Sequence, residues 1–104
     1  MFKAIVSLSL LFVPLSTLAD WHGGKIRQIN VGHDGKTVTV RIDNWSRNDC
    51  SCYSYWPDMM CLDYSRDTLD FEKSLILSAK AKNSEVFFYI DERTCLVEAI
   101  YEAQ

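Results

Sequence analysis

The first regular alternation of polar and apolar residues lies in residues 25–32 and predicts a β-strand with one face against a core. Ile26 is out of phase with the apolar positions that follow it, so we expect a β-bulge at residues 27–28. Asp34-Gly35 then predicts a two-residue hairpin turn, because both central positions of such a turn favour positive φ.

A second strand completes this hairpin. Its inward residues are Val38, Val40 and Ile42, and its outward residues are Thr37, Thr39, Arg41 and Asp43. The fifteen residues from Asn44 to Asp58 then show no usable period. Loops of this length are uncommon in compact domains and are often functional.

A short strand and a helix are predicted next. The strand covers residues 59–64. The helix covers residues 71–82, with a cap at Asp67 or Thr68 and Asn83 in the left-handed position after its end. Its apolar stripe consists of Phe71, Leu75, Ile76 and Ala79.

Two strands end the chain, at residues 85–91, which we expect to be buried on both faces, and at residues 95–102. The element order is therefore β-β-β-α-β-β. This is the order of an OB-fold, a small five-stranded Greek-key barrel in a mainly β protein with one helix. The alternative is an open α+β antiparallel sheet with the helix on one face.

The first nineteen residues have the features of a secretory signal peptide. Lys3 provides the positive charge, an apolar run follows, and residues 17–19 place small side chains at a cleavage site. The run is too short to span a bilayer, which needs roughly 20 apolar residues. Cleavage after Ala19 leaves one domain, residues 20–104, in the periplasm or outside the cell.

The net charge of the chain disfavours one further class of function. The whole chain has a formal charge of −3, and loss of Lys3 leaves 10 basic and 14 acidic side chains. An acidic exported chain is a poor candidate for nucleic-acid binding, which relies on a basic surface. No later segment has the length and hydropathy of a membrane span.

The four cysteines, in an exported chain, predict two disulfides. Cys50 and Cys52 are too close in sequence to bridge each other without strain. Either Cys50 pairs with Cys61 and Cys52 with Cys95, or Cys50 pairs with Cys95 and Cys52 with Cys61. Zinc is disfavoured, because the spacing lacks the two C-x₂₋₄-C pairs of metal knuckles. Both disulfide pairings brace the long loop.

The braced loop carries the predicted ligand-binding residues, which are Trp45, Arg47, Tyr53, Tyr55 and Trp56. Aromatic rings with polar edges stack on sugars and anchor protein interfaces. We expect them to act together with the outward face of the second and third strands, where OB-folds bind ligands. Trp45 is expected to be the most buried and to close one end of the barrel.

Two further chemistries receive less support. A mature N-terminus of Asp20-Trp21-His22 would offer a square-planar nitrogen set for Cu(II). Catalysis lacks a nucleophile–base pair once the cysteines are bridged, and we expect His33 to be a solvated turn residue. No cofactor is predicted, and no enzymatic activity.

The order of elements also resembles a known family. The shared features are the leader ending before Asp20-Trp21, the hairpin from Ile26 to Ile42, the cysteine-containing middle, the helix Phe71 to Lys82, the Val-Phe-Phe-Tyr strand and the Thr94-Cys95 step. In these the chain resembles the B subunits of secreted bacterial toxins of the subtilase-cytotoxin and pertussis type. The resemblance implies an OB-fold, assembly into a homo-oligomeric ring and binding of cell-surface glycans. It assigns no individual binding residue.

The leading hypothesis is thus an exported, non-enzymatic module that binds a glycan or a protein, with homo-oligomerisation as a further possibility. A periplasmic inhibitor or immunity protein that blocks one enzyme is the alternative, since negative charge speeds encounter with a basic target. Copper binding through the mature N-terminus is the third hypothesis.

Overall fold

The computed structural model of the chain describes residues 19–103. Within this range it contains five strands and one helix, in the predicted order β-β-β-α-β-β. They are β1 (Ala19–Val31), β2 (Val38–Ile42), β3 (Met60–Leu62), α1 (Leu69–Lys82), β4 (Glu85–Asp91) and β5 (Leu96–Glu102). The predicted signal peptide lies, apart from Ala19, outside the described residues.

The five strands close into a barrel in the order β1-β2-β3-β5-β4. β1 pairs with β2 through its second half and with β4 through its first half, both antiparallel. β3 pairs with β5 in parallel, and this contact closes the ring. The OB-fold-like barrel is therefore confirmed, and the open sheet is wrong.

β1 begins six residues before the predicted strand, because residues 19–25 form a continuous antiparallel ladder with β4. This polar, glycine-containing segment lacks apolar alternation, so its strand character comes from backbone pairing alone. A Cβ at Gly24 would lie 2.5 Å from the carbonyl oxygen of Asp43, so only glycine allows the approach. The predicted bulge is confirmed, since the register with β2 shifts between Ile26 and Gln28.

The hairpin is confirmed, but its predicted two-residue turn is wrong. The Gly32 amide donates to the Thr37 carbonyl over 2.7 Å, which leaves a four-residue loop. Gly35 has a φ of 73°, whereas Asp34 does not adopt positive φ. The Asp34 carboxylate instead accepts hydrogen bonds from the Lys36 and Thr37 amides and from the Thr37 hydroxyl.

The core lies inside the barrel. The fully buried side chains at its centre are Val40, Met60, Leu62, Ile76, Val86, Phe88, Ile90 and Val97. The inward residues of β2 were predicted correctly. β4 has its predicted bounds, but its burial on both faces is wrong, because Phe87 and Tyr89 are only half-buried on the outside. An extra residue in β5, Glu98, shifts the register with β4 and lets both Val97 and Ile100 pack on the core.

Helix α1 covers one end of the barrel. Asn83 has the left-handed conformation predicted for it, with a φ of 59°. The predicted apolar stripe is wrong at Phe71, which is 69% exposed, while Glu72 is buried beside Ile76. The Arg66 guanidinium and the Thr68 hydroxyl both donate to the Glu72 carboxylate, which explains how a glutamate occupies this face. In the described range no helix has the length and apolar character needed to cross a membrane.

Candidate functional site

Two disulfides hold the long loop against the barrel. Cys50 is bonded to Cys95 and Cys52 to Cys61, with Cα–Cα distances of 5.3 and 6.1 Å. This is the second of the two pairings left open by the sequence. The Cys52 amide also donates to the Thr94 carbonyl over 3.0 Å. The loop is thus tied to β3 and to the start of β5.

The loop lies over the outward face of β2. Thr37 and Thr39 on that face are 4% and 0% exposed, although the sequence predicts them as outward residues. The Thr39 hydroxyl contacts the Met59 sulfur at 3.5 Å, and Arg41 forms an ion pair with Asp58. The loop therefore covers this part of the strand face that was expected to receive a ligand.

Tyr53 anchors this covering segment. Its hydroxyl accepts a hydrogen bond from the His33 amide over 3.0 Å and lies 2.8 Å from His33 Nδ1. A Cβ at Gly32 would lie 2.8 Å from the Tyr53 ring and hydroxyl, so the glycine makes room for the tyrosine. Tyr53 is only 8% exposed, which makes it a structural residue and not a free contact residue.

Tyr53 supports two more accessible rings. Tyr55 lies edge-on to the His33 ring at 4.5 Å and is 67% exposed, and Trp56 packs on Tyr53 at 5.1 Å. We call His33, Tyr53, Tyr55 and Trp56 the loop aromatic surface. His33 is exposed in the β1–β2 turn, as expected, and its ring also contacts Tyr53 and Tyr55. No sequence signal marked its role, because its partner is 20 residues away.

A cavity of about 280 Å³ lies between the Cys52–Cys61 disulfide, Thr37 and β3. Its lining includes Asp63, Tyr64 and Leu96. Hydrogen bonds from the Ser65 hydroxyl and amide lower the pKa of the Asp63 carboxyl. The cavity therefore presents a charged acceptor.

Trp45 and Arg47 do not belong to the loop aromatic surface. Trp45 packs on the core and lies 6.2 Å from the His22 ring, but it is only half-buried, so the expectation that it is the most buried is wrong. Arg47 donates to the Glu92 carboxylate over 2.9 Å and to the Asp49 carboxylate over 2.7 Å. The hydrogen bond to Asp49, with the charges of both carboxylates, raises the pKa of Arg47.

The segment Asp20-Trp21-His22 belongs to β1, where the register places Trp21 opposite Tyr89 and His22 opposite Phe88. The His22 Nε2 atom lies 2.7 Å from the Glu92 carboxylate. A copper chelate of these three residues would have to unpair the beginning of β1. Among residues 19–103, no three His, Cys, Asp or Glu side chains lie together as a metal site would require.

A second aromatic group, which the sequence did not suggest, lies on the outward faces of β1, β4 and β5. Trp21 contacts Tyr89 and Tyr101, both at 5.1 Å, and Phe87 stacks on Tyr101 at 4.9 Å. We call these four residues the outer aromatic strip. Alternation along three separate strands brings them together, and this required the β1–β4 and β4–β5 registers to be known.

Comparisons of the chain with models of protein families, with curated proteins and with solved structures found no match.

Proposed function

We propose that this chain is an exported, non-enzymatic binding module that recognises a glycan through the loop aromatic surface. The two disulfides indicate an oxidising, exported environment. The signal peptide predicted at residues 1–19 agrees with that location. The resemblance to toxin B subunits also implies a glycan ligand.

The observation that carries the proposal is the support beneath Tyr55 and Trp56. Tyr53 lies between them, is hydrogen-bonded to His33 and belongs to a segment braced by two disulfides. Rings held in this way lose little conformational entropy when a ligand stacks on them. Sugars combine apolar ring faces with hydroxyl groups, and exposed aromatic rings with polar edges suit both.

The contacts of the histidines support a non-enzymatic role. Within residues 19–103, His33 is hydrogen-bonded to Tyr53 and His22 to Glu92, and neither contacts a serine, threonine or cysteine hydroxyl or thiol. All four cysteines are in disulfides, so none supplies a thiolate nucleophile.

The test is a glycan array probed with the oxidised protein, wild type and with Tyr55→Ala or Trp56→Ala. We expect defined sugar hits that fall at least tenfold with either substitution, since truncating an aromatic hot-spot residue costs about 2 kcal/mol or more. The melting temperature should change by only a few degrees, because the two side chains lie outside the core cluster.

Phe71→Ala is the matched control, because Phe71 is an aromatic residue of similar exposure on helix α1. It should leave the sugar hits unchanged. A wild-type protein that binds no glycan but forms a complex with one secreted enzyme would replace this proposal with the inhibitor alternative.

A further inference from the structure

Two contacts with one phenol hold His33 in the loop aromatic surface. The Tyr53 hydroxyl oxygen lies 3.0 Å from the His33 amide nitrogen and 2.8 Å from His33 Nδ1. Tyr53 is buried, whereas His33 is exposed. The imidazole is therefore fixed through one of its two nitrogens while the residue stays accessible to a ligand.

These two contacts decide which nitrogen of the His33 ring carries the hydrogen. The His33 amide can only donate, so the Tyr53 oxygen is the acceptor of that bond. Within residues 19–103, Nδ1 of His33 is the only acceptor that the phenolic hydrogen can reach. A neutral histidine has one donor and one acceptor nitrogen, so an accepting Nδ1 requires the hydrogen on Nε2.

The resulting Nε2–H group is a hydrogen-bond donor beside an exposed ring. In the part of the chain that the structure describes, His33 makes hydrogen bonds only through its amide and Nδ1, so Nε2 has no acceptor. The rings of His33 and Tyr55 are edge-on, with an interplanar angle of 81° and centroids 4.5 Å apart, and Tyr55 is 67% exposed. A sugar ring that covers one face of Tyr55 therefore lies within reach of His33.

The charges around His33 disfavour an acidic sugar. Asp34 is the next residue in the turn, and hydrogen bonds from Thr37 and Lys36 lower its pKa to about 2, so its carboxylate is negative at neutral pH. The Lys36 ammonium group lies over the Tyr64 ring, 5.7 Å from the ring centroid. A carboxylate bound at His33 would approach the Asp34 charge, whereas an uncharged hydroxyl group avoids this repulsion.

We infer that Tyr53 holds His33 as the Nε2–H tautomer and that Nε2 donates to a hydroxyl oxygen of a neutral sugar stacked on Tyr55. This contact, which rests on the proposed glycan-binding function, names the sugar class and the polar group that selects it. Tyr53 is then a positioning residue, because its hydroxyl fixes the tautomer without touching the sugar. A donor already oriented beside a stacking ring favours sugars with a hydroxyl at one position.

The tautomer is tested without any sugar, by long-range ¹H–¹⁵N correlation spectra of the histidine rings in the oxidised protein. The spectra are recorded at about pH 8, where free imidazole is neutral. We expect the Nε2–H pattern for His33. Tyr53→Phe removes the donor to Nδ1, so both tautomers of His33 should become populated, while the pattern of His22 stays unchanged. An Nδ1–H pattern for His33 in the wild-type protein overturns the inference.

The sugar contact is tested on an array of galactose-, mannose- and N-acetylglucosamine-terminated oligosaccharides, printed beside sialylated forms of the same chains. We expect the neutral forms to bind several-fold more strongly than the sialylated ones. His33→Gln keeps an N–H donor as many bonds from Cβ as Nε2 and should retain binding. His33→Asn is one bond shorter and should weaken binding about three- to tenfold, the range for one neutral hydrogen bond. His22→Asn is the matched control and should have no effect, because His22 Nε2 contacts Glu92.

Deoxy analogues of the strongest neutral hit identify the acceptor. Removal of one particular hydroxyl should make wild type and His33→Asn bind equally, and a difference that persists with every analogue overturns the hydrogen bond. Binding that Tyr55→Ala removes but His33→Asn leaves unchanged supports the proposed function and overturns the role of His33, as does a preference for sialylated chains. Absence of every hit with wild type overturns the proposed function, and the sugar contact of His33 with it.

Discussion

Tyr53 illustrates how one buried side chain positions others that remain exposed. Its hydroxyl accepts from the His33 amide and lies beside His33 Nδ1, so it connects the loop to the β1–β2 turn. Tyr55 and Trp56 both pack on its ring. The hydroxyl therefore matters for the shape of the loop aromatic surface as well as for stability.

Tyr53→Phe is expected to lower the free energy of unfolding by about 1–2 kcal/mol, because it leaves the half-buried His33 amide without its acceptor. Urea denaturation measures the change. Tyr55→Phe is the control and should be neutral, since that side chain is 67% exposed. Equal stability of the two variants would mean that the hydroxyl does not hold the loop.

The lowered pKa of Asp34 predicts that the stability of the fold depends on pH. Hydrogen bonds from the Thr37 hydroxyl and amide and from the Lys36 amide lower the pKa of Asp34 from 3.8 to about 2. A carboxyl whose folded pKa is depressed stabilises the fold above its unfolded pKa and loses that contribution as pH falls toward its folded pKa. Wild-type stability should therefore include a component that disappears between about pH 4 and pH 2.

Asp34→Asn should lack this component, so the difference in stability between wild type and variant should shrink as pH falls through that window. Thermal unfolding at a series of pH values measures it. Asp67→Asn, at an exposed position before α1, is the control. A difference that stays constant from pH 5 to pH 2 would contradict the role of Asp34.

At the scale of elements, the two disulfides differ in what they constrain. Cys50–Cys95 joins residues 45 apart in sequence, and Cys52–Cys61 joins residues 9 apart. Chain-entropy arguments give about 4 kcal/mol for the longer closure and about 3 kcal/mol for the shorter one. Removing the Cys50–Cys95 pair by double alanine substitution should therefore lower the free energy of unfolding more than removing the Cys52–Cys61 pair does.

The backbone conformation of Cys95 also affects the stability of these variants. Its φ is 69°, a left-handed conformation that costs a residue with a Cβ about 1 kcal/mol relative to glycine. Cys50→Ala with Cys95→Gly should accordingly be more stable than Cys50→Ala with Cys95→Ala. Guanidinium denaturation of the two double variants and of Cys52→Ala/Cys61→Ala provides the ranking.

For the whole molecule, local patterns predicted the elements and their order but not the surfaces that the barrel creates. Alternation located β2, and the glycine-poor, aromatic β4 had its predicted bounds. The first half of β1 has no such signal, because its partner is more than 60 residues away. The members of the loop aromatic surface were predicted in part, namely Tyr53, Tyr55 and Trp56. His33 and the outer aromatic strip depend on contacts between distant strands.

The parallel contact between β3 and β5 also affects the order in which the disulfides can form. β5 is the last strand in chain order, and Cys95 is the last of the four cysteines to be synthesised. Until then Cys50, Cys52 and Cys61 are the only thiols available, and one wrong bond, Cys50 to Cys61, competes with the native Cys52 to Cys61. A Cys50–Cys61 bond formed at that stage would have to exchange for the native pairs before β5 closes the barrel against β3.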